Sequence, residues 1–116
     1  MKNSNVEEKQ IQELYAAFAK IKNEEEAAAF CRDLMTIGEI REFAKRWQIA
    51  KLLNTKKMSY EQIAKEVQTS TTTVTRVNEW LENGMNGYKT ILQRIWKNKP
   101  VKTKKYQIID FQPQTR

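Results

Sequence analysis

A cluster of hydroxyl side chains near the middle of the chain is the feature best suited to chemistry. Four threonines stand within five consecutive positions, Thr71, Thr72, Thr73 and Thr75. β-Branched residues are mediocre helix formers, so stability alone gives little reason to cluster them on a helix. A hydroxyl can instead bond a base edge or a phosphate, and a threonine methyl can touch the methyl group of thymine. The cluster therefore predicts a surface that contacts DNA.

Two short helices are predicted to position these threonines. Ser59 and Ser70 are favourable N-cap residues, and each precedes a segment with apolar residues at helical spacing. Two helices that cross steeply need a small residue where they touch, and Ala64 supplies it. The pattern predicts a helix-turn-helix over about 59–82, with the threonines at the start of its second helix.

An ordinary helical hairpin within a bundle would show much of the same pattern. The turn also departs from the usual DNA-binding form, because Gln68 occupies a position where glycine is preferred. The backbone there tends to adopt a positive φ, which costs a non-glycine residue about 1 kcal/mol. The sequence therefore favours DNA binding but leaves the geometry of the turn open.

Basic residues are concentrated in the second part of the chain. Residues 1–42 carry six Lys or Arg and nine Asp or Glu, whereas residues 43–116 carry fifteen and five. This asymmetry predicts one side that faces a polyanion and a separate structural side. Thr72 and Thr75 are expected to help read bases, while Thr71, Tyr60, Lys65 and Arg76 orient the helix on phosphates. The full set of candidate DNA-contacting residues is Lys56, Lys57, Tyr60, Lys65, Thr71, Thr72, Thr73, Thr75 and Arg76.

The rest of the chain predicts an all-α protein of six helices. The sequence contains only three glycines and two prolines, and strong helix formers are plentiful. Asn83-Gly84 is expected to end the helix-turn-helix, since glycine takes left-handed angles without steric cost. The four other helices are predicted over about 6–21, after Asn23, from Thr36 to about Leu53, and over about 87–96.

Residues 1–97 are expected to form one helical domain, with Trp47, Trp80 and Trp96 in its core. After Asn98 the composition changes to a basic, extended stretch. Residues 98–116 therefore predict a mobile C-terminal tail that a partner could order.

Residue types needed for catalysis or metal binding are scarce. The chain has no histidine and one cysteine, Cys31, so neither an internal disulfide nor a cysteine–histidine metal cluster is expected. No glycine-rich phosphate loop and no nucleophile with an evident base is present, which argues against an enzyme and against a cofactor. Apolar runs are far shorter than the ~20 residues that cross a bilayer, and the first residues do not form a secretory signal. The expected protein is cytoplasmic and nucleoid-associated, without a membrane partner.

Residues from about Leu34 to Leu92 carry a set of short motifs that resemble a known family. The motifs are Thr36, the helix Glu39–Leu53 with Arg46-Trp47, Met58-Ser59, Thr73-Val74-Thr75-Arg76 followed by Val77-Asn78, and Gly87-Tyr88-Lys89. They resemble the trp repressor superfamily, and within it the bacterial trp-repressor-like regulators. The resemblance implies an intertwined homodimer in which the N-terminal helices of the two chains interlock. It also implies that two recognition helices enter successive major grooves of a roughly two-fold operator.

The resemblance also implies a candidate ligand pocket, and the sequence alters it. Two arginines flank the bound tryptophan in the trp repressor, and Arg46 and Arg76 align with them. Val77 stands where the repressor has a glycine, and Trp80 where it has a serine. These larger side chains predict a filled site that needs no corepressor, in which the arginines pair with acidic residues or phosphate instead. Two alternatives stay open: a regulator that binds a small planar ligand between Arg46 and Arg76, and a helical protein-interaction module.

Overall fold

Helices make up most of residues 2–97, which is the part of the chain that the computed structural model describes. They are α1 (Lys2–Phe18), α2 (Glu24–Leu34), α3 (Ile37–Thr55), α4 (Tyr60–Val67), α5 (Thr71–Asn83) and α6 (Gly87–Lys97). No strand occurs within these residues, so the predicted all-α class is confirmed. The tail predicted at 98–116 lies outside the described residues.

Short-range capping bonds explain where three of the helices begin. Asn23 caps α2 by accepting the backbone N–H of the third helical residue. At the start of α4, the Ser59 hydroxyl accepts the Gln62 N–H at 3.1 Å, and the Gln62 side chain accepts the Ser59 N–H at 2.8 Å. At the start of α5, the Ser70 hydroxyl accepts the Thr73 N–H at 3.2 Å. Each bond satisfies a backbone donor that the helix itself leaves without a partner.

The end of α5 differs from the prediction in its geometry. The helix stops at Asn83 as expected, but Gly84 adopts φ −89° and is not left-handed. The Gly84 N–H donates to the Trp80 carbonyl oxygen at 3.0 Å. A Cβ at position 84 would collide with that same oxygen, so glycine is required here by close approach rather than by a positive φ.

Contacts within the described residues form two compact units, one ending at Thr36 and one beginning at Ile37. In the first unit, the rings of Phe18 and Phe30 join α1 to α2 edge to face, with centroids 5.2 Å apart. None of the described side chains of this unit is fully buried. Ile11 and Tyr15, on the apolar stripe of α1, are 42% and 66% exposed.

The second unit contains an apolar core built from four helices. No polar or charged side chain among the described residues is buried. The core seats α5 against α3 and α4, so the positions of the helices that carry the candidate site are fixed by packing. Its members are Ile49, Ala50, Leu53, Ile63, Ala64, Val74, Val77, Leu81 and Leu92.

Within the described residues, no helix combines the length and the hydropathy that a membrane span requires. The same residues contain no group of three or more acidic or cysteine side chains placed to hold a metal ion.

Candidate nucleic-acid interface

The turn between α4 and α5 adopts the left-handed geometry that the sequence leaves open. Gln68 has φ 67° and ψ 59°. The Thr69 N–H donates to the Ala64 carbonyl oxygen at 2.9 Å, which closes the end of α4. Lys45 of α3 donates from Nζ to the Gln68 carbonyl oxygen at 3.0 Å. A non-glycine residue thus holds the positive φ with support from a second helix.

The four threonines at the start of α5 are not equivalent. Thr71, Thr72 and Thr75 are exposed, whereas Thr73 is half-buried. The Thr73 hydroxyl lies 3.1 Å from the Ser70 hydroxyl, and the Thr75 hydroxyl donates to the Thr71 carbonyl oxygen at 3.0 Å. Neither the Thr71 nor the Thr72 hydroxyl bonds another residue within the described part of the chain. These two side chains therefore keep their full hydrogen-bonding capacity for a ligand.

The candidate basic residues are exposed, and some of them lie together. Lys57 and Lys65 line one shallow depression, with Gln62 and Glu66 beside them. Lys65 also lines a second depression that reaches Thr71 and includes Glu61. The structure thus brings the connector before α4, the outer face of α4 and the start of α5 onto one surface, hereafter the α4–α5 face.

Three other candidate residues, Lys56, Tyr60 and Arg76, line neither of these two depressions. Lys56 is exposed and has a positive φ of 57°. Tyr60 begins α4 and is 36% exposed. Arg76 is exposed on α5. Within the described residues, neither Arg76 nor Lys57 nor Lys65 makes an ion pair, so their charges are available to a polyanion.

Sequence reasoning missed two features of the α4–α5 face. The carboxylates of Glu61 and Glu66 lie among its cations, a placement that periodicity could have indicated, since Glu61 and Lys65 are four positions apart on one helix. The bond from Lys45 to the turn had no sequence signal, because its partners are 23 positions apart.

Arg46 of the candidate ligand pocket is engaged by its own chain. Its guanidinium carbon lies 5.2 Å from the centroid of the Trp80 ring and 5.3 Å from that of the Phe43 ring. Its Nε lies 3.6 Å from a carboxylate oxygen of Glu42, one turn earlier on α3. Val77 is fully buried in the core. The aromatic faces and the carboxylate occupy the Arg46 guanidinium with contacts from its own chain.

An open apolar groove lies beside Trp80 at the meeting of α3, α5 and α6. The groove has a volume of about 630 Å³ and is lined by Trp47, Trp80, Gly84, Met85, Gly87, Tyr88 and Ile91. The Trp47 and Tyr88 rings stack along it, with centroids 6.2 Å apart. Burial raises the pKa of Tyr88 above its ordinary value of 10.0, and the Arg46 guanidinium acts in the opposite direction.

The three tryptophans were predicted to lie in the core, and for two of them this is wrong within the single chain. Trp80 is 43% exposed and Trp96 is 61% exposed. Trp47 is half-buried against the core. Helical spacing identifies the apolar face of a helix, but it does not show whether the chain itself covers that face.

Comparison with known sequences defines the class of protein. The sequence model of the Trp repressor protein family matches residues 9–96, which include the α4–α5 face and both candidate arginines. The chain belongs to the Trp repressor protein family, a family of regulators rather than enzymes.

The relatives include one curated bacterial protein and two solved structures. YerC from Bacillus subtilis strain 168, a protein without a characterised function, is 33% identical over 87 residues, covering 75% of this chain and 83% of the relative. A TrpR-like protein from Eubacterium eligens is 34% identical with a TM-score of 0.69, over 74% of this chain and 88% of the other. A candidate Trp repressor from Staphylococcus aureus is 33% identical with a TM-score of 0.69, over 81% and 93%. The likeness to both structures supports the six-helix fold.

Proposed function

We propose that this protein is a sequence-specific transcriptional regulator that binds duplex DNA as a homodimer. The observation that carries the proposal is the start of α5, where Thr71 shares a depression with Lys65 and the Thr72 hydroxyl is exposed and makes no bond within the described residues. A helix N-terminus also carries partial positive charge, which favours a nearby phosphate. Membership of the Trp repressor protein family supports the same role.

The hydrogen bonds of α5 suggest how its residues divide the work. Thr72 reads a base edge, because its hydroxyl is exposed and is not used within the helix. Thr71, Lys65 and Lys57 contact phosphates and set the register of the helix on the duplex. Thr75 contributes mainly its methyl group, since its hydroxyl proton is directed to the Thr71 carbonyl oxygen.

Uncovered apolar side chains support the homodimer. Large exposed apolar patches on a chain of this size indicate an interface. Exposed apolar side chains occur on α1, on the first half of α3 and on α6. A second copy of the chain would cover them if the two chains interlock, as the family resemblance implies. The residues concerned are Val6, Ile11, Tyr15, Phe43, Ile91, Ile95 and Trp96. A two-fold dimer would present its two α5 helices to major grooves about 34 Å apart.

We further propose that the regulator acts without tryptophan as corepressor. The support is Arg46, which already has the Trp80 and Phe43 rings and the Glu42 carboxylate around it. A planar ligand would have to displace these contacts. Repression is the effect we assign, because a bound dimer excludes other proteins from the same DNA. Its place of action is the cytoplasm, on the chromosome.

Selection from a random duplex pool tests the proposal, followed by titration of the enriched duplex at several salt concentrations. We expect a roughly two-fold symmetric sequence, with an affinity that falls steeply as salt rises. Thr72→Val should weaken binding to that duplex about tenfold, as expected for one lost base contact, with an unchanged salt slope. Thr90→Val serves as the control, because it removes an exposed threonine hydroxyl from α6, one that donates to the Asn86 carbonyl oxygen at 2.8 Å.

Failure to enrich any sequence, together with weak salt dependence, would rule out specific DNA recognition. Equal losses from the Thr72 and Thr90 variants would show that α5 does not read bases. The same titration with saturating tryptophan tests the ligand alternative. We expect no change in affinity, whereas a clear increase would show that a planar effector binds.

A further inference from the structure

Lys45 links α3 to the turn that precedes α5. Its ammonium donates to the Gln68 carbonyl oxygen at 3.0 Å, although the two residues are 23 positions apart. Lys45 is half-buried, and its neighbour Arg46 packs over Trp80 near the other end of α5. Consecutive residues of α3 therefore contact both ends of the segment that carries the threonines.

The turn has two physical reasons to need a cation at this point. Gln68 has a φ of 67°, and a side chain with a Cβ is strained in the left-handed region. The carbonyl oxygens at the end of α4 also form the negative end of its dipole, where a positive charge is favourable. The N–H groups of Gln68 and Thr69 both donate to the Ala64 carbonyl oxygen. The Gln68 carbonyl oxygen accepts its hydrogen bond from Lys45 of α3 instead.

We propose that Lys45 is a positioning residue for DNA recognition. It stabilises the left-handed turn at Gln68. The geometry of this turn sets the direction in which Thr71 and Thr72 project. Its ammonium is directed to the protein backbone and does not contact a phosphate. This inference rests on the proposed function, since it assigns Lys45 a part in DNA binding by α5.

The proposal is distinguishable from the role of a simple phosphate-binding lysine. A lysine that contacts phosphate releases a counterion, so its loss lowers the slope of log affinity against log salt by about 0.9. A lysine that supports the turn leaves this slope unchanged. Its loss should also be repaired by a residue that adopts the left-handed region without strain, and glycine at position 68 is that residue.

A double-mutant cycle on the operator duplex supplies the test. Lys45→Met keeps the aliphatic stem and removes the charge. Gln68→Gly removes the strain of a side chain at positive φ. The double variant combines the two changes. Lys51→Met, at an exposed lysine of the same helix, is the matched control. We expect Lys45→Met to weaken operator binding about fivefold with an unchanged salt slope, a loss of the size of one typical hydrogen bond, because Lys45 acts on the DNA only through the turn. The double variant should bind within about twofold of Gln68→Gly alone, because the two sites are coupled.

Several outcomes would overturn the role of Lys45. They are a Lys45→Met affinity equal to that of Lys51→Met, a reduced salt slope, or a double variant as weak as Lys45→Met. Circular dichroism and urea unfolding of the wild type and the four variants establish whether each one is folded. Gln68→Gly must also restore the urea midpoint that Lys45→Met lowers. Failure of the wild-type protein to select any DNA sequence overturns the proposed function instead.

Discussion

Arg46 shows how neighbouring side chains decide what a residue is able to do. The sequence offered it as one side of a planar ligand site, and in the structure it contacts the Trp80 and Phe43 rings and the Glu42 carboxylate. A delocalised, weakly hydrated guanidinium suits such surroundings, which a lysine at the same position would not reproduce. Through its contact with the Trp80 ring, Arg46 helps to hold α3 and α5 together.

Ionisation of Tyr88 is expected to make the stability of the folded chain depend on pH. Burial raises its pKa above 10.0, so ionisation of this phenol is harder in the folded chain than in the unfolded chain. The stabilisation linked to the neutral ring is present below the unfolded-state pKa and is lost as pH rises through the folded-state pKa. We expect the free energy of unfolding of the wild type to fall relative to that of Tyr88→Phe above about pH 10, while the difference between them is constant near pH 8.

Urea unfolding of both proteins across this range measures the effect, and the difference in phenolate absorbance between the two folded proteins follows ionisation of Tyr88. Because every other titrating group is shared, the lysines contribute equally to the two curves. Parallel stability curves through the alkaline range would contradict the assignment.

At the scale of elements, local hydrogen bonds determine where the helices of the α4–α5 face begin. The reciprocal bonds between Ser59 and Gln62 satisfy two backbone donors at the start of α4. Ser59→Ala should lower the free energy of unfolding by about 1 kcal/mol, the usual effect of losing an N-cap. The Thr90→Ala variant, which removes a hydroxyl inside α6, should change it by much less.

Thermal or urea unfolding provides the measurement, with operator affinity as a second readout. Ser59 lies outside the residues proposed to read bases, so the affinity per folded molecule should change little. A variant as stable as the wild type would show that α4 begins independently of its cap.

The sequence predicts these elements well because their signals are local. Ser59, Ser70 and Asn23 each stand within four residues of the groups they cap, so spacing alone was sufficient to place the start of each helix. The same holds for the candidate threonines, all of which lie in the first turns of α5. That the Thr75 hydroxyl bonds the Thr71 carbonyl is also a short-range property of threonine in helices, and sequence reasoning could have anticipated it.

Contacts between distant parts of the chain account for what the sequence did not predict. The bond from Lys45 to Gln68 and the stacking of Arg46 on Trp80 depend on how α3 packs against α5. The exposure of Trp80 and Trp96 depends on which faces the chain covers, and a helical pattern does not contain that information. Gly84 was predicted to end α5, but the close Trp80 carbonyl that requires glycine is visible only in three dimensions.

At the scale of the whole molecule, the uncovered apolar stripe of α1 makes a prediction about assembly. Tyr15→Glu places a carboxylate on that stripe, where Tyr15 is 66% exposed in the single chain. Burial of an unpaired charge at the proposed interface is unfavourable, so we expect a shift from dimer to monomer and an operator affinity at least tenfold lower. Light scattering coupled to size-exclusion chromatography measures the mass.

Ala16→Glu supplies the control, because it adds the same charge at the next, exposed position of α1, away from the stripe. That variant should stay dimeric. A wild-type protein that is monomeric at every concentration tested would be incompatible with the proposed dimer, as would a dimer unaffected by Tyr15→Glu.

The division of labour along α5 bears on how such a protein acquires new targets. Val74 and Val77 are fully buried and seat the helix, whereas Thr71 and Thr72 are exposed and add nothing to the core. Under the proposed function, mutations at the outer positions would alter the preferred operator with little penalty in folding, whereas those at the inner positions would destabilise the fold. A regulator built this way can diverge in the genes it controls, one exposed side chain at a time, while its scaffold is inherited intact.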